Sequence, residues 1–370
     1  MAPAPSCGGG HGKNGAVKLL ITGAAGFVGS RMAEELKARR GDIELCGVDN
    51  LSRRGSETNL PLLARLGCQV FHGDVRNDED LAELPRVDWV IDCAANPSVL
   101  AGVSGGTRPL VSHNLGGTLN LLEKCRRDGA GLILLSSSRV YSIDALGSLP
   151  LDEDGPRLRL RPGAALPAGM SPAGVTERFS TAAPISLYGA TKLASEIMAL
   201  EYGATFGFPV WIDRCGVIAG PGQFGKIDQG IFSFWIYQWL RGRPLSYIGY
   251  GGRGQQVRDL LAPGDLAELL DRQLRAGARK APRVVNAGGG NARAMSLREL
   301  SDWCRQALGT EHPIGSVPET RPFDIPYYVT DNALAQETWG WQPVEPRDET
   351  LERILRWARQ NPAALEIFAP

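Results

Sequence analysis

Histidine is scarce in this chain: four in 370 residues. Catalysis built on clustered imidazole ligands therefore has little to work with. Seven cysteines are scattered with no paired spacing. That pattern argues against a disulfide framework and for free thiols in a reducing compartment, so the expected location is cytoplasmic. Charge of one sign is lacking too, since Lys+Arg and Asp+Glu both number 40. Nothing marks a nucleic-acid or membrane-surface binder. Long apolar runs are missing. The most apolar stretch, IFSFWIYQWL from Ile231 to Leu240, contains Ser233 and Gln238 and falls well under the ~20 residues of a bilayer span. It reads as a buried helix. Residues 1–15 are rich in Pro and Gly and hold no apolar segment, so they read as a flexible tail and not as a signal peptide. Cys7 and His11 lie in that tail, and two ligands fall short of a structural zinc set, so no metal site is expected.

What is present is the composition of a globular protein, 43% apolar and 22% charged, long enough for one large core or a core with a smaller lobe. Short apolar runs at 17–22, 44–49, 69–74, 89–94, 132–136 and 210–214 alternate with helical patterns at 30–40, 117–128 and 188–202. A seventh run follows at 283–286. Such alternation implies βαβ units and a parallel sheet. After Cys215 the spacing changes. Gly- and Pro-rich loops then separate single helices at 231–241, 263–276, 296–308 and 349–360. The expected architecture is α/β: a doubly wound parallel sheet of Rossmann type with a smaller, interleaved C-terminal substrate lobe. Residues 16–215 form the dinucleotide-binding part, 256–290 return to it, and 216–255 with 291–370 make the lobe. An insert at 142–184, rich in Pro, Gly and Arg, reads as a lid or as a surface excursion.

The first run leads into Gly23-Ala24-Ala25-Gly26-Phe27-Val28-Gly29 and then a helix. Glycines at this spacing let the backbone approach a pyrophosphate, and the helix start supplies N–H donors. Tight strand-to-helix turns also use glycine, but the position directly after the first strand favours a dinucleotide. Asp49, with Asn50 beside it, closes the second run twenty residues beyond Gly29. A carboxylate there accepts from ribose hydroxyls and repels a 2′-phosphate, which favours NAD over NADP. Arg53 and Arg54 follow and are suited to neutralising such a phosphate. Asp74 ends the third run beside Val75, placed either at an adenine edge or as a loop-capping acid. Ala94 and Ala95 end the fourth, small enough to let a nicotinamide riboside pass, or small for packing.

Tyr188-Gly189-Ala190-Thr191-Lys192 opens a helix, and residues four apart share a helix face. Phenol and ammonium can then point into one cleft, where the tyrosine serves as general base toward a hydroxyl. Upstream, the fifth run ends Ser136-Ser137-Ser138-Arg139-Val140-Tyr141. Hydroxyls at the carboxyl end of a parallel strand lie at the ligand crevice, or they merely satisfy backbone groups.

The glycine turn, strand-end acid, serine and Tyr/Lys pair, in that order, resemble the extended short-chain dehydrogenase/reductases, the NAD-dependent epimerase/dehydratase family, from Val17 to about Leu355. DNLSRRG (49–55), GDVRN (73–77), NLGGTLNLLE (114–123), GQFGKIDQG (222–230) and GQQVRDLL (254–261) further resemble the branch that epimerises CDP-hexoses at C2. The resemblance implies Tyr188 as base and acid, Lys192 as its electrostatic partner, and Ser137 as the serine that holds the reacting oxygen, with Ser138 as the other choice of register. It implies a cofactor site of Gly23, Gly26, Phe27, Val28, Gly29, Asp49, Asn50, Asp74, Val75, Ala94, Ala95, Tyr188 and Lys192. Substrate contacts fall to Asn96, Ser138, Gln223, Arg258 and Arg321, the two arginines gripping the diphosphate or else forming ion pairs at the surface or between domains. The implied cofactor is NAD, and the implied partner a nucleotide sugar, CDP-linked by preference, with no nucleic acid or membrane. The implied assembly is a homodimer or homotetramer through the helices after Asn114 and Tyr188. UDP- or GDP-sugar 4-epimerisation, or a non-catalytic NAD-binding module, stay open. Two departures stand out. Asp92 occupies a place where many relatives have His. Arg139 follows Ser138 where dehydratases and decarboxylases carry an acid.

Overall fold

The computed structural model describes residues 16–103, 106–225 and 229–367. The expected tail with Cys7 and His11, and residues 226–228 of the GQFGKIDQG segment, lie outside them.

The seven apolar runs form seven strands: β1 (Val17–Thr22), β2 (Ile43–Asp49), β3 (Gln69–His72), β4 (Trp89–Asp92), β5 (Gly131–Ser137), β6 (Val210–Cys215) and β7 (Val284–Ala287). They make one all-parallel sheet in the order β7-β6-β5-β4-β1-β2-β3. The doubly wound α/β architecture expected from the sequence is present. Strands such as β1, β5 and β6 are buried almost throughout because helices cover both faces of a parallel sheet. One face packs α1 (Phe27–Arg39) and a later helix, Pro263–Ala276, around Leu36, Leu266 and Leu270. The other packs α2 (Gly117–Asp128) and α3 (Ser186–Phe206) around Leu121, Leu122 and Ala199. Strand order reverses at β1, between β2 and β4. Ligands of open α/β sheets bind at that switch point, beyond the carboxyl ends of the strands.

Val257–Leu261, expected within the returning segment, pairs in a small separate sheet with Val217–Ile218, Ala294–Ser296 and Tyr327–Tyr328. Pro263–Ala276 and β7 are the parts that pack on the central sheet. Helices Ile231–Leu240, Leu297–Leu308 and Arg347–Gln360 enclose a second core around Phe232, Trp235, Leu300 and Ile354. Ile231–Leu240 is thus a buried lobe helix, and among the described residues no helix is long and apolar enough to cross a membrane. The 142–184 insert folds into a short helix and two hairpins, and Leu146, Leu158, Val175 and Phe179 bury it against Ile325 and Tyr328 of the lobe. The six described cysteines are all free thiols.

Candidate active site

At the end of β1 the chain turns through Gly23, whose φ of 58° is left-handed and whose hydrogen faces the Ala94 backbone, 3.1 Å from where a Cβ would sit. A Cβ on Gly29 would strike the Gly23 carbonyl oxygen, so only glycine lets α1 start this close to β1. Gly26 begins that helix with no side-chain cap, and its first turn holds no acid. The open N–H groups and the helix dipole suit an anion. Asp49 fixes the turn: Oδ2 accepts from Ala25 N–H at 3.0 Å and Oδ1 from Leu51 N–H at 2.8 Å. Each oxygen keeps a second lone pair. Asp92, in the position noted above for its lack of histidine, is buried and accepts from Thr22 Oγ1 at 2.7 Å. Thr22 Oγ1 in turn accepts from Ala94 N–H at 3.0 Å. Asp92 therefore sets the path of the β4 exit.

The crevice above this turn has a volume of about 240 Å³. Gly23, Gly26, Phe27, Val28, Gly29, Asp49, Asn50, Val75, Ala94 and Ala95 line it. A cradle closed to any Cβ, an uncapped helix start and a strand-end acid fit a dinucleotide. Asp74 does not line the crevice. Its carboxylate receives a fork from Arg76, with Nε at 2.9 Å and Nη2 at 2.6 Å, and a bond from Asn50 Nδ2 at 2.9 Å. The Arg76 guanidinium holds the Asp74 carboxyl well below the usual carboxylate range. Of the two roles open to Asp74, its contacts perform the loop-holding one. Arg53, suited by sequence to a 2′-phosphate, instead donates to Gln229 Oε1 at 3.0 Å and to the Phe224 carbonyl at 2.9 Å, spanning from the cofactor loop to the lobe.

The second group gathers where β5 ends. Lys192 is buried and donates from Nζ to the Leu135 carbonyl at 2.9 Å. A Cβ on Gly189 would strike the Arg139 carbonyl, so the start of α3 lies flat against the β5 exit. Ser186 takes a left-handed φ of 65° and caps this start, its Oγ accepting from Gly189 N–H at 3.1 Å. Tyr188 follows, buried, with no described residue bonded to its hydroxyl. Ser137 Oγ accepts from Arg139 N–H at 3.1 Å, which leaves its own proton to give. The structure thus packs the start of α3, with Tyr188 and Lys192, against the strand exit that carries Ser137. Tyr188 and Lys192, expected at the cofactor too, are not among the residues lining the crevice. Asn114, in a π-turn at Ser112–Gly116, ties this group to the β4 exit. Its Oδ1 accepts from Asn96 N–H at 2.8 Å and its Nδ2 donates to Thr191 Oγ1 at 3.1 Å.

A second cavity, about 200 Å³, opens between the β5 exit and the lobe. Arg258 and Arg321 line it, as does Arg139. Arg258 is braced by Asp324 Oδ1 at 3.0 Å and the Ile325 carbonyl at 2.7 Å. The other expected substrate residues lie elsewhere. Asn96 is held by Asn114, and Ser138 is buried beneath the exit. Gln223 lines the cofactor crevice with its amide committed, donating to the Ile218 carbonyl and accepting from Ser233, both at 2.8 Å. Gln229 borders both cavities.

The sequence model of the NAD dependent epimerase/dehydratase family matches residues 19–288. The chain belongs to that family. Among its relatives is CDP-paratose 2-epimerase of Salmonella typhi, 28% identical over 92% of this chain and 99% of the relative. UDP-glucuronate 4-epimerase of Thermodesulfobacterium geofontis is 27% identical over 92% of this chain and 96% of its own. Among solved structures, dTDP-glucose 4,6-dehydratase from Streptomyces venezuelae, with NAD and DAU bound, superposes with a TM-score of 0.76 at 27% identity, covering 95% of this chain and 99% of that one. UDP-glucuronic acid 4-epimerase from Bacillus cereus, with UDP-glucuronic acid and NAD, gives 0.73 over 93% and 99%, and at 23% identity shows the fold alone.

Asn114, Arg139 and Gln229 stand at the site without having been expected there from the sequence. Asn114 sat inside a quoted motif as one polar residue among several. Arg139 had a usable signal, a cation two residues after the strand-end serine.

Proposed function

We propose that the chain epimerises a nucleotide-activated sugar with NAD, at C2 of a CDP-linked hexose, by transient oxidation and re-reduction. Ser137 at the β5 exit and Tyr188 and Lys192 on the start of α3, which packs against that exit, carry this reading. A sugar C–H beside an ordinary hydroxyl is not acidic, because no adjacent carbonyl spreads the charge. Oxidation of the alcohol removes that obstacle. When bound, NAD supplies reversible two-electron redox chemistry. Tyr188 takes the proton of the reacting hydroxyl and later returns it. Lys192, fixed on the Leu135 carbonyl, places positive charge one helical turn away and balances the charge that develops on the phenol. Ser137 donates to the reacting oxygen. The keto-sugar exposes its other face between the two steps, so one stereocentre inverts and the redox state is restored. Arg258 and Arg321 grip the diphosphate. Arg139, where an acid would be needed to draw off a further proton, provides no base for elimination.

C2 and CDP are supported by the Salmonella relative and the shared motifs; UDP-sugar 4-epimerisation is favoured by the UDP-glucuronate relatives at nearly equal identity. Incubation of purified enzyme with CDP-paratose, CDP-glucose and UDP-glucose, read by NMR, separates the two. Turnover of UDP-glucose alone would exclude the first. Tyr188→Phe is expected to lower turnover by roughly 10²–10⁴-fold while NAD stays bound. Full activity in that variant would sink the assignment of the base.

A further inference from the structure

Three arginines, Arg139, Arg258 and Arg321, line the cavity beside the β5 exit together with one acid, Asp324. Arg258 faces Asp324 at 3.0 Å. Arg139 has no ion pair among the described residues, and its side chain makes a single hydrogen bond, from Nη1 to the Phe323 carbonyl at 3.2 Å. Burial and the neighbouring Arg258 cation push its guanidinium down to about 10, with Asp324 and Tyr188 opposing in part. It remains charged at neutral pH. A guanidinium presents five donors in a fixed fork, and here most of that fork faces the cavity unspent. The backbone of Arg139 is tied to the reacting groups on both sides. Its N–H bonds Ser137 Oγ, and its carbonyl packs against Gly189, next to Tyr188. Its charge therefore belongs to the sugar end of the cavity.

We propose that Arg139 is a substrate-binding residue that receives an oxyanion of the nucleotide sugar next to the reacting carbon, either a carboxylate on the hexose or the sugar-proximal phosphate. Both are planar or tetrahedral oxyanions that a guanidinium fork grips with two hydrogen bonds. The proposal rests on the nucleotide-sugar reading above. It goes beyond it in naming a third arginine and the group that this arginine selects.

Calorimetric titration of NAD-loaded parent, Arg139→Met and Arg139→Lys with UDP-glucose, CDP-glucose and UDP-glucuronate tests it. Arg139→Met is expected to weaken binding roughly tenfold or more, the loss of a charged hydrogen bond. Arg139→Lys is expected to recover part of that affinity. A loss confined to UDP-glucuronate assigns the sugar carboxylate. An equal loss for every sugar that the parent binds assigns the phosphate. Unchanged affinities in Arg139→Met overturn the proposal, as does a parent that binds none of the three. NAD content and thermal unfolding of each variant report on folding, and if the methionine variant fails to hold NAD the lysine variant carries the comparison. An unchanged lysine variant then also overturns the proposal. The two readings fail separately. Arg139-dependent binding without epimerisation defeats the reaction proposed above and leaves Arg139 standing. Epimerisation with Arg139-independent binding does the reverse.

Discussion

Adjacent serines at the β5 exit do different work. Ser136 is buried and donates to Glu196 Oε1 at 2.5 Å, and Glu196 is held by a two-pronged Arg214 contact, with Nη2 at 2.7 Å. That hydroxyl belongs to the foundation. Ser137, one residue on, points to the opposite face of the strand and has a proton to give. Alternation along one strand thus separates support from chemistry, which a run of three serines conceals. Glycine shows the same economy at the cofactor end. Gly29→Ala would drive a methyl into the Gly23 carbonyl and force α1 off β1. Overpacking of this kind costs about 1–3 kcal/mol. The expected outcome is a lower unfolding temperature and NAD lost on desalting; retained cofactor in that variant would contradict the tight turn.

At the scale of elements, two connections tie strands to function. The first is Arg53, which leaves the loop after β2 to hold Gln229 and Phe224 on the lobe side. All three residues line the cofactor crevice. Arg53→Ala is expected to speed NAD dissociation, measured by exchange against labelled NAD, with little change in stability. The second connection is inside β6. Asp213 is buried, accepts from Gln273 Nε2 at 2.7 Å on one oxygen, and has no partner among the described residues on the other. Burial pushes its carboxyl up to about 7. In the unfolded chain an aspartate releases its proton near ~4. Between those values the folded state binds one proton more than the unfolded state, so stability falls as pH rises from about 4 to about 7, then levels. Asp213→Asn removes the titration, and the slope of unfolding free energy against pH should flatten across that window. An unaltered slope would show that Asp213 ionises normally.

On the scale of the whole molecule, the two cavities meet between the sheet's carboxyl edge and the lobe, with Gln229 bordering both. The sheet face covered by α2 and α3 is different. Ile197 and Phe206 on α3 stand 55% and 49% exposed, with Arg126 of α2 stacked over Phe206 at 5.5 Å. Large apolar side chains exposed on paired helices suit a two-fold contact. A homodimer through α2 and α3 is the expected outcome of sedimentation velocity, and Ile197→Asp should shift it to monomer. A parent that sediments as a monomer at tens of micromolar would overturn this assembly.

The sequence by itself determined the sheet, because seven short apolar runs separated by helical periods leave few arrangements other than a parallel, helix-covered one. It also determined the glycine turn, whose spacing is a local property of one strand and one helix, and the Tyr188/Lys192 pair, which helical geometry places on one face. Only the tertiary structure decided which polar groups remain available. Asp74 and Gln223 have the right chemistry for ligands, yet neighbours distant in sequence or folded back against them, among them Asn50 and Ser233, use their hydrogen bonds. Arg139 has fewer obvious credentials, yet its fork stays open toward the cavity. A side chain's donors and acceptors are written in its residue type, but whether they are spent is settled by contacts between remote segments, and those exist only once the chain has folded.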